Sequence, residues 1–446
     1  MRAALVAVLM LVALVSSAGA GGLGGSSGPT FGRAKAYATG HPSAAVAIGD
    51  LTGDAKPDLV SANGSRTHTV SVLINKGNGR FRAKREFRTG PGPQSVAIRD
   101  LNADGSPDVA TANDANVSVL LNNGDGGLRP KRDYATGRGP RAVAIDDVNG
   151  DSKPDLVTAN TGGANGISVL LNTGDGTFQS RRDFGPGVSP FDLAIGDLNG
   201  DRKADLATVN ESSFDDNPSL SVFLNAGDGT FPVSREYTTF EPSSIEIGDV
   251  NGDGKADLLV PYSEKESGPG VFVYLNRGRG GFRAGVHHSL QGDWATGGGS
   301  VAVGDLNGDR KADLAVTSRL RAVSVLVNLG DGRFQRQLDY ETGFPSELAI
   351  GDLNGDRRRD LVVMNYSTAS VLLNRPGLCD VQKLNRLTLK AAKQTLARVN
   401  CRIGKVSFDY SRTTKGLVIR QKPKLGAVLP RGSRVDVVIS RGAARN

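Results

Sequence analysis

Short apolar runs with no helical period recur along most of this chain, four to a unit. The first run of each unit is Val46-Ala-Ile48, Val96-Ala-Ile98, Val143-Ala-Ile145, Leu193-Ala-Ile195, Ile245-Glu-Ile247, Val301-Ala-Val303 or Leu348-Ala-Ile350. The second opens on an aspartate, as in Asp58-Leu-Val-Ser-Ala-Asn63. The third is Val70-Ser-Val-Leu-Ile-Asn75, with counterparts ending at Asn122, Asn172, Asn225, Asn276, Asn328 and Asn374. A Gly-Asp-Gly type of turn then leads to a fourth run, such as Phe178–Phe184. These runs are β-branched and bounded by Gly, Asn, Asp or Pro, which predicts strands. A helical period is expected only after residue 388, apart from an N-terminal leader.

The unit repeats seven times, its first aspartates falling 50, 47, 50, 52, 56 and 47 residues apart. Four strands in each of seven units predict an all-β protein, a seven-bladed β-propeller. The ends decide between a ring and a solenoid. The last unit stops at Asn374 without a fourth strand, whereas the chain opens, after the leader, on an orphan fourth strand, Phe31–Gly40. It matches Phe81–Gly90, Leu128–Gly137 and Phe334–Gly343. The N-terminal strand is therefore expected to complete the seventh sheet, which removes the two open edges of the ring.

Between the first and second runs lies a nine-residue acidic loop. Positions 1, 3, 5 and 9 are Asp50, Thr52, Asp54, Asp58; Asp100, Asn102, Asp104, Asp108; Asp147, Asn149, Asp151, Asp155; Asp197, Asn199, Asp201, Asp205; Asp249, Asn251, Asp253, Asp257; Asp305, Asn307, Asp309, Asp313; and Asp352, Asn354, Asp356, Asp360. Three carboxylates, an amide oxygen and a backbone carbonyl at position 7 suit Ca²⁺, which takes six to eight oxygen ligands in flexible geometry. A soft metal would want Cys or His. Up to seven structural calcium ions are expected. The loop is no EF-hand, because strands flank it and position 12 is not Glu. The alternative is an Asx-type turn whose side chains cap their own backbone. Thr52 in the first copy and Ala103, in place of the usual position-4 Gly, weaken the first two sites.

These residues resemble the FG-GAP/VCBS repeats, best known from the integrin α-subunit propeller, over residues 31 to about 375. The resemblance implies that all the acidic loops lie on one face of the disc, between the first and second strands.

Met1–Ala20 has Arg2, an apolar stretch and an Ala18-Gly-Ala20 end, the pattern of a secretory signal peptide. Residues 21–30 are Gly/Ser-rich and are expected to be a flexible linker. No later stretch is apolar enough to span a membrane. Beyond Arg375-Pro-Gly377 the composition changes: residues 378–446 hold sixteen Lys and Arg against three acids, a net of +13, which leaves −5 for the remainder of a chain of net +8. Thr388–Val399 predicts an amphipathic helix with Leu389, Ala392, Leu396 and Val399 on one face. Strands are expected near Lys405–Tyr410, Gly416–Gln421 and Arg434–Ser440. In a secreted protein the only two cysteines, Cys379 and Cys401, predict a disulfide.

The tail, a small α+β module over 378–442, is similar to the PASTA domain of penicillin-binding proteins and bacterial Ser/Thr kinases. The matching residues include Leu384, Thr388-Leu389, Leu396, Gly404-Lys-Val406, Gly416, Gln421, Pro423, Leu429-Pro430, Gly432 and Val438. Gln382 and Arg386 depart from the family's usual Pro and Gly. The resemblance implies peptidoglycan, or another anionic cell-wall polymer, as partner. The plainer alternative is a structural cap with a solvated basic face. Basic residues without interleaved aromatics argue against nucleic acid.

A recognition surface is expected on the face away from the acidic loops, where length varies: Phe214 and Asp215, Tyr262, His287 and Trp294 are the candidate ligand-binding residues, for a glycan or protein. The alternative is tolerated insertion. Catalysis is not expected: no residue is assigned a catalytic role, since 21 of the 46 acids belong to the loops and four histidines offer no nucleophile set. The sequence thus predicts a secreted, monomeric, calcium-stabilised binding propeller with a wall-directed tail. The alternatives are a freely secreted adhesin and a hydrolase of envelope polysaccharide or phosphoester.

Overall fold

Seven four-stranded antiparallel sheets make up most of the computed structural model, which describes residues 28–64, 67–162, 166–185, 189–211, 220–239, 241–264, 268–290, 299–318, 321–375 and 377–443. The leader therefore lies outside the described residues. Blade 1 runs Ser43–Gly49, Asp58–Asn63, Thr69–Leu73 and Arg85–Arg88, from the inside outward. Blades 2 to 6 repeat that order, beginning at Ser95, Arg138, Pro190, Glu246 and Val301. Inner strands of successive blades touch, and that of blade 7, Glu347–Gly351, meets that of blade 1, so the ring is closed.

The closure uses the expected strand. Lys35–Ala38 pairs with Thr368–Leu372 as the fourth strand of blade 7, in the register Lys35↔Val371 to Ala38↔Thr368. A bridge from Phe31 to Asn374 and the bond from the Gly32 N–H to the Leu373 carbonyl, 2.8 Å, extend the pairing. The linker expectation fails for Gly28, Pro29 and Thr30. They are buried, and the Thr30 hydroxyl donates to the Arg375 carbonyl at 2.7 Å.

The apolar core lies in the seams. Val60 and Val72 of blade 1 meet Val96 and Val109 of blade 2, and comparable clusters fill the other seams. Each such residue contributes about 1.5–3 kcal/mol by burial. At the axis, blades close tightly where the inner strand ends in glycine: a Cβ on Gly49 would stand 2.9 Å from Ile98 of the next blade. Blade 2 ends instead in Arg99, which pairs with Asp146 of blade 3 at 3.4 Å.

The C-terminal residues form a separate small fold. Helix Leu389–Arg398 starts at an N-cap, Thr388, whose side chain accepts the Ala391 N–H, and it buries Ala392, Thr395 and Leu396. Arg434–Ser440 pairs parallel with Arg402–Asp409 and antiparallel with Val418–Lys422. The predicted helix and three strands are all present. One pairing was not foreseen, Leu378–Asp380 with Val428–Pro430. Cys379 and Cys401 form the disulfide. Only residues 375–377 separate Asn374 from this fold, and its core is continuous with the seam of blades 6 and 7. Leu338 and Tyr340 of blade 6, 1% and 2% exposed, pack in the same cluster as Val381, Leu384 and Leu396. No helix among the described residues is long and apolar enough to cross a membrane.

Candidate metal centre

All seven acidic loops join a first strand to a second and so lie on one face of the disc. Their backbone is coiled by two left-handed residues, at positions 4 and 6. Position 4 is glycine in six loops; Ala103 holds φ 59° in the other. Position 6 takes the same region without needing glycine, as in Ser152 (64°), Arg202 (66°) and Arg310 (68°). In five loops the residue type at position 6 does not mark this second turn, which the loop's own hydrogen bonds enforce.

Those bonds follow one scheme. The first aspartate accepts the N–H of position 6, for example Ala55 to Asp50 and Arg202 to Asp197, at 2.7–2.8 Å throughout. The position-3 asparagine accepts the N–H of position 5 in six loops, as in Asp201 to Asn199 at 2.7 Å. The position-5 aspartate accepts the N–H of position 7, as in Lys203 to Asp201 at 3.0 Å. In the first loop Thr52 cannot play the asparagine's part, and its hydroxyl donates to Asp50 at 3.4 Å.

Position 9 differs from the others. Asp58, Asp108, Asp155, Asp205, Asp257, Asp313 and Asp360 are fully buried. One oxygen of each accepts the N–H of position 2, the other the N–H of the asparagine that ends the third strand, all within 2.7–3.1 Å. This carboxylate is first a bracket between the loop and its blade. Burial pushes it up to about 6 in the first five loops and about 7 at Asp313 and Asp360.

The bracketed asparagine was missed as a functional residue. Its side-chain amide donates to two carbonyls: one just before position 9 of its own loop, and one at position 2 of the preceding blade's loop. Asn172 reaches Pro154 and Leu101, each at 2.9 Å. Asn75 closes the circle by reaching Leu353 of blade 7 at 2.8 Å. All seven seams carry this link. The signal was in the sequence, as an Asn before every third-to-fourth turn.

The donor set fits a hard cation. Every side-chain donor is oxygen, and a carboxylate retains acceptor capacity beyond two N–H bonds. In the fourth loop, one oxygen each of Asp197, Asp201 and Asp205 lies within 4.8 Å of the others, the one such cluster among the described residues. Lys or Arg at position 7 pairs with the position-5 aspartate in five loops, from 2.8 Å at Lys56–Asp54 to 3.7 Å at Lys203–Asp201. These exposed pairs are weak.

The sequence-predicted recognition residues fare differently. Phe214, Asp215 and Trp294 lie outside the described residues. Tyr262 is no surface residue: it lies within the second strand Asp257–Glu264, at a position where five other blades carry Asn and blade 6 carries Ser318, is 1% exposed and packs on Phe272 at 4.5 Å. His287 belongs to the outer strand Val286–Ser289, not to the following loop. The face away from the acidic loops does expose aromatics elsewhere. Phe344 and Tyr366 are 61% and 57% exposed. Arg321 stacks over Phe344 at 4.6 Å, and His41 meets Tyr366 edge-on at 4.1 Å. The bond from the Ser43 N–H to the Tyr366 carbonyl, 2.9 Å, and that from Ser346 to Met364, 2.8 Å, stitch these links together.

The FG-GAP-like repeat model matches residues 50–111, 100–158, 147–208, 209–260, 266–316 and 305–363. The chain belongs to the FG-GAP-like repeat family. A PASTA domain model matches residues 380–441 of this FG-GAP-like protein. No curated protein sequence matches it. Among solved structures, it is similar to an Agrocybe aegerita lectin described as recognising non-reducing terminal N-acetylglucosamine, with 21% identity, a TM-score of 0.52, and 74% of this chain and 86% of that one covered. A chain from the complex of BBS1N with ARL6DN gives 13% identity and a TM-score of 0.53, over 78% of this chain and 98% of that one. At these identities the likeness is one of fold.

Proposed function

We propose that this protein is a secreted binding module: a calcium-stabilised propeller that holds an extracellular glycan or protein on the face away from its acidic loops, while the basic tail domain rests on an anionic cell-wall polymer. The observation that carries the reading is the placement of Phe344 and Tyr366, exposed aromatics on that face, backed by Arg321 and His41. Aromatic faces on short links over a rigid scaffold suit recognition. The glycan-binding neighbour supports the same class of ligand. Binding without turnover is part of this proposal.

Calcium would enter each loop through positions 1, 3 and 5 and the carbonyl of position 7, with position 9 completing the set. Its chemistry there is charge neutralisation. The chain's own residues do the rest: the position-9 aspartate ties the loop to the third strand, and the asparagine ties it to the neighbouring blade. Fixing a loop thereby fixes a seam.

The tail presents Phe408 and Tyr410, 57% and 58% exposed, beside a basic surface, with Arg441 over the Tyr410 ring at 5.8 Å. Its family resemblance supports peptidoglycan as the partner. Truncation would uncover Leu338 and Tyr340, so the test is charge reversal of exposed Arg402, Lys405 and Arg434 to Glu, followed by sedimentation with purified cell walls. Reduced pelleting is expected, and equal pelleting rejects the tether. A glycan array with wild type, Phe344→Ala and Tyr366→Ala tests the propeller face. Signals that survive both substitutions reject it.

A further inference from the structure

A second oxygen-lined site lies far from the acidic loops, where the propeller meets the tail domain. The fourth strand of blade 6 and the closing strand's lead-in form one wall of a cavity of about 180 Å³, and the first strand of the tail domain forms the other. Its lining includes Glu341 and Thr342 from the propeller and Asp380 from the tail.

Asp380 is 4% exposed and has neither hydrogen bond nor ion pair from its side chain among the described residues. A buried carboxylate in that condition is costly, because desolvation is left uncompensated. The Thr342 hydroxyl is buried and likewise has no partner. In three other blades the matching hydroxyl donates to the next glycine's carbonyl, as Thr89 does to Gly90 at 2.9 Å. Glu341 adds a second carboxylate across the domain boundary, and like charges there should drive the two bodies apart. Arg33, the one basic residue lining the cavity, is exposed and forms no ion pair with either carboxylate.

We propose that this cavity is a divalent-cation site in which one ion, calcium by the chemistry of its donors, is shared between Glu341 of the propeller and Asp380 of the tail domain. The side-chain donors are oxygen only, and neither His nor Cys lines the cavity. Calcium accepts such a set, and water fills the remaining positions. The ion converts a repulsive contact into a cross-link and completes the docking that Leu338 and Tyr340 begin. The site goes beyond the acidic loops and stands whether or not they hold ions.

The test is calcium stoichiometry by equilibrium dialysis of the full chain, comparing wild type with Asp380→Asn and Glu341→Gln. Glu341 is exposed, so its variant keeps the fold even if Asp380→Asn does not. Each variant is expected to bind one ion fewer than wild type. If the acidic loops hold no calcium, wild type binds one ion and the variants none, so failure of the loop reading leaves this result legible. Unchanged stoichiometry in both variants overturns the proposal, and loss in only one overturns the shared form of the site. A melting comparison adds a signature: Asp380→Asn should melt above wild type in chelator and below it in millimolar calcium. The same order in both buffers also overturns the proposal.

Discussion

The outer strands of blades 2 and 6 follow one pattern and meet different surroundings. Arg132–Ala135 shows water an exposed Arg132 and pairs Lys131 with Asp133 along its edge. Leu338–Glu341 has Leu338 at the position of Arg132, buried to 1% beneath the tail domain. Blade 5 stands between them: Val286 occupies the position and is 52% exposed. An apolar residue there is thus no proof of docking, but a docked body requires one. Tyr340 supplies the rest, donating its hydroxyl to the Pro29 carbonyl and meeting the Phe31 ring edge-on at 4.9 Å. The tail therefore packs against the outer edge of the closed ring and is not a module on a string.

Placing blade 2's residue in blade 6 should break that arrangement most severely. Leu338→Arg leaves an unpaired charge in a closed core and is expected to lose about 3–5 kcal/mol, read by denaturant unfolding. The seams come next. Asn172→Ala strands two buried carbonyls and should cost about 2–3 kcal/mol. Asn374→Ala, next to the docked domain, should cost the same if the links are independent of docking.

Calcium should sharpen the picture further. Chelation is expected to lower stability by about 1.4 kcal/mol for each loop filled at ten times its Kd. The pH dependence should reverse with it. Without metal, the buried position-9 carboxylates titrate above the ordinary value of 3.8, at about 6 to 7. Folding then favours their protonated form, so stability is greatest in acid and is lost as pH rises through 6 to 7. With calcium the ionised form is held, and stability should fall on acidification through the same range. Thermal melts at pH 5 and 8, each with and without chelator, check the sign. Smaller still, Ala103→Gly relieves a left-handed residue in blade 2 and should add about 1 kcal/mol. Smallest of all, Arg132→Leu on the open edge should change stability by less than about 0.5 kcal/mol. Equal losses at Arg132 and Leu338 would erase the contrast.

Much of this was legible from residue spacing. The four-strand unit, the closing strand at Lys35–Ala38 and the Thr388-capped helix all come from local patterns, and local patterns repeat faithfully. Less legible were contacts that join distant segments. The seam asparagines look like turn residues, and only the ring brings Asn75 to Leu353. Tyr262 has the look of a loop aromatic after Pro261, yet the second strand runs through that proline to Glu264 and buries it. Residues 28–30 have linker composition, yet a body from the other end of the chain buries them. Leu338 was visible as an apolar residue in a basic register, and what covers it was not.

The two ends of the propeller segment meet at one place. The lead-in at Gly28–Thr30 lies under the tail domain, and three residues downstream of Asn374 that domain begins. Tension applied to the tail would enter the disc where Lys35–Ala38 latches it shut. The tail's core packs with Phe31 of that latch, so displacing the tail would strip support from the closing strand. Single-molecule pulling through Ser440 should therefore show tail and latch yielding in one event, and two separate events would refute that mechanical reading.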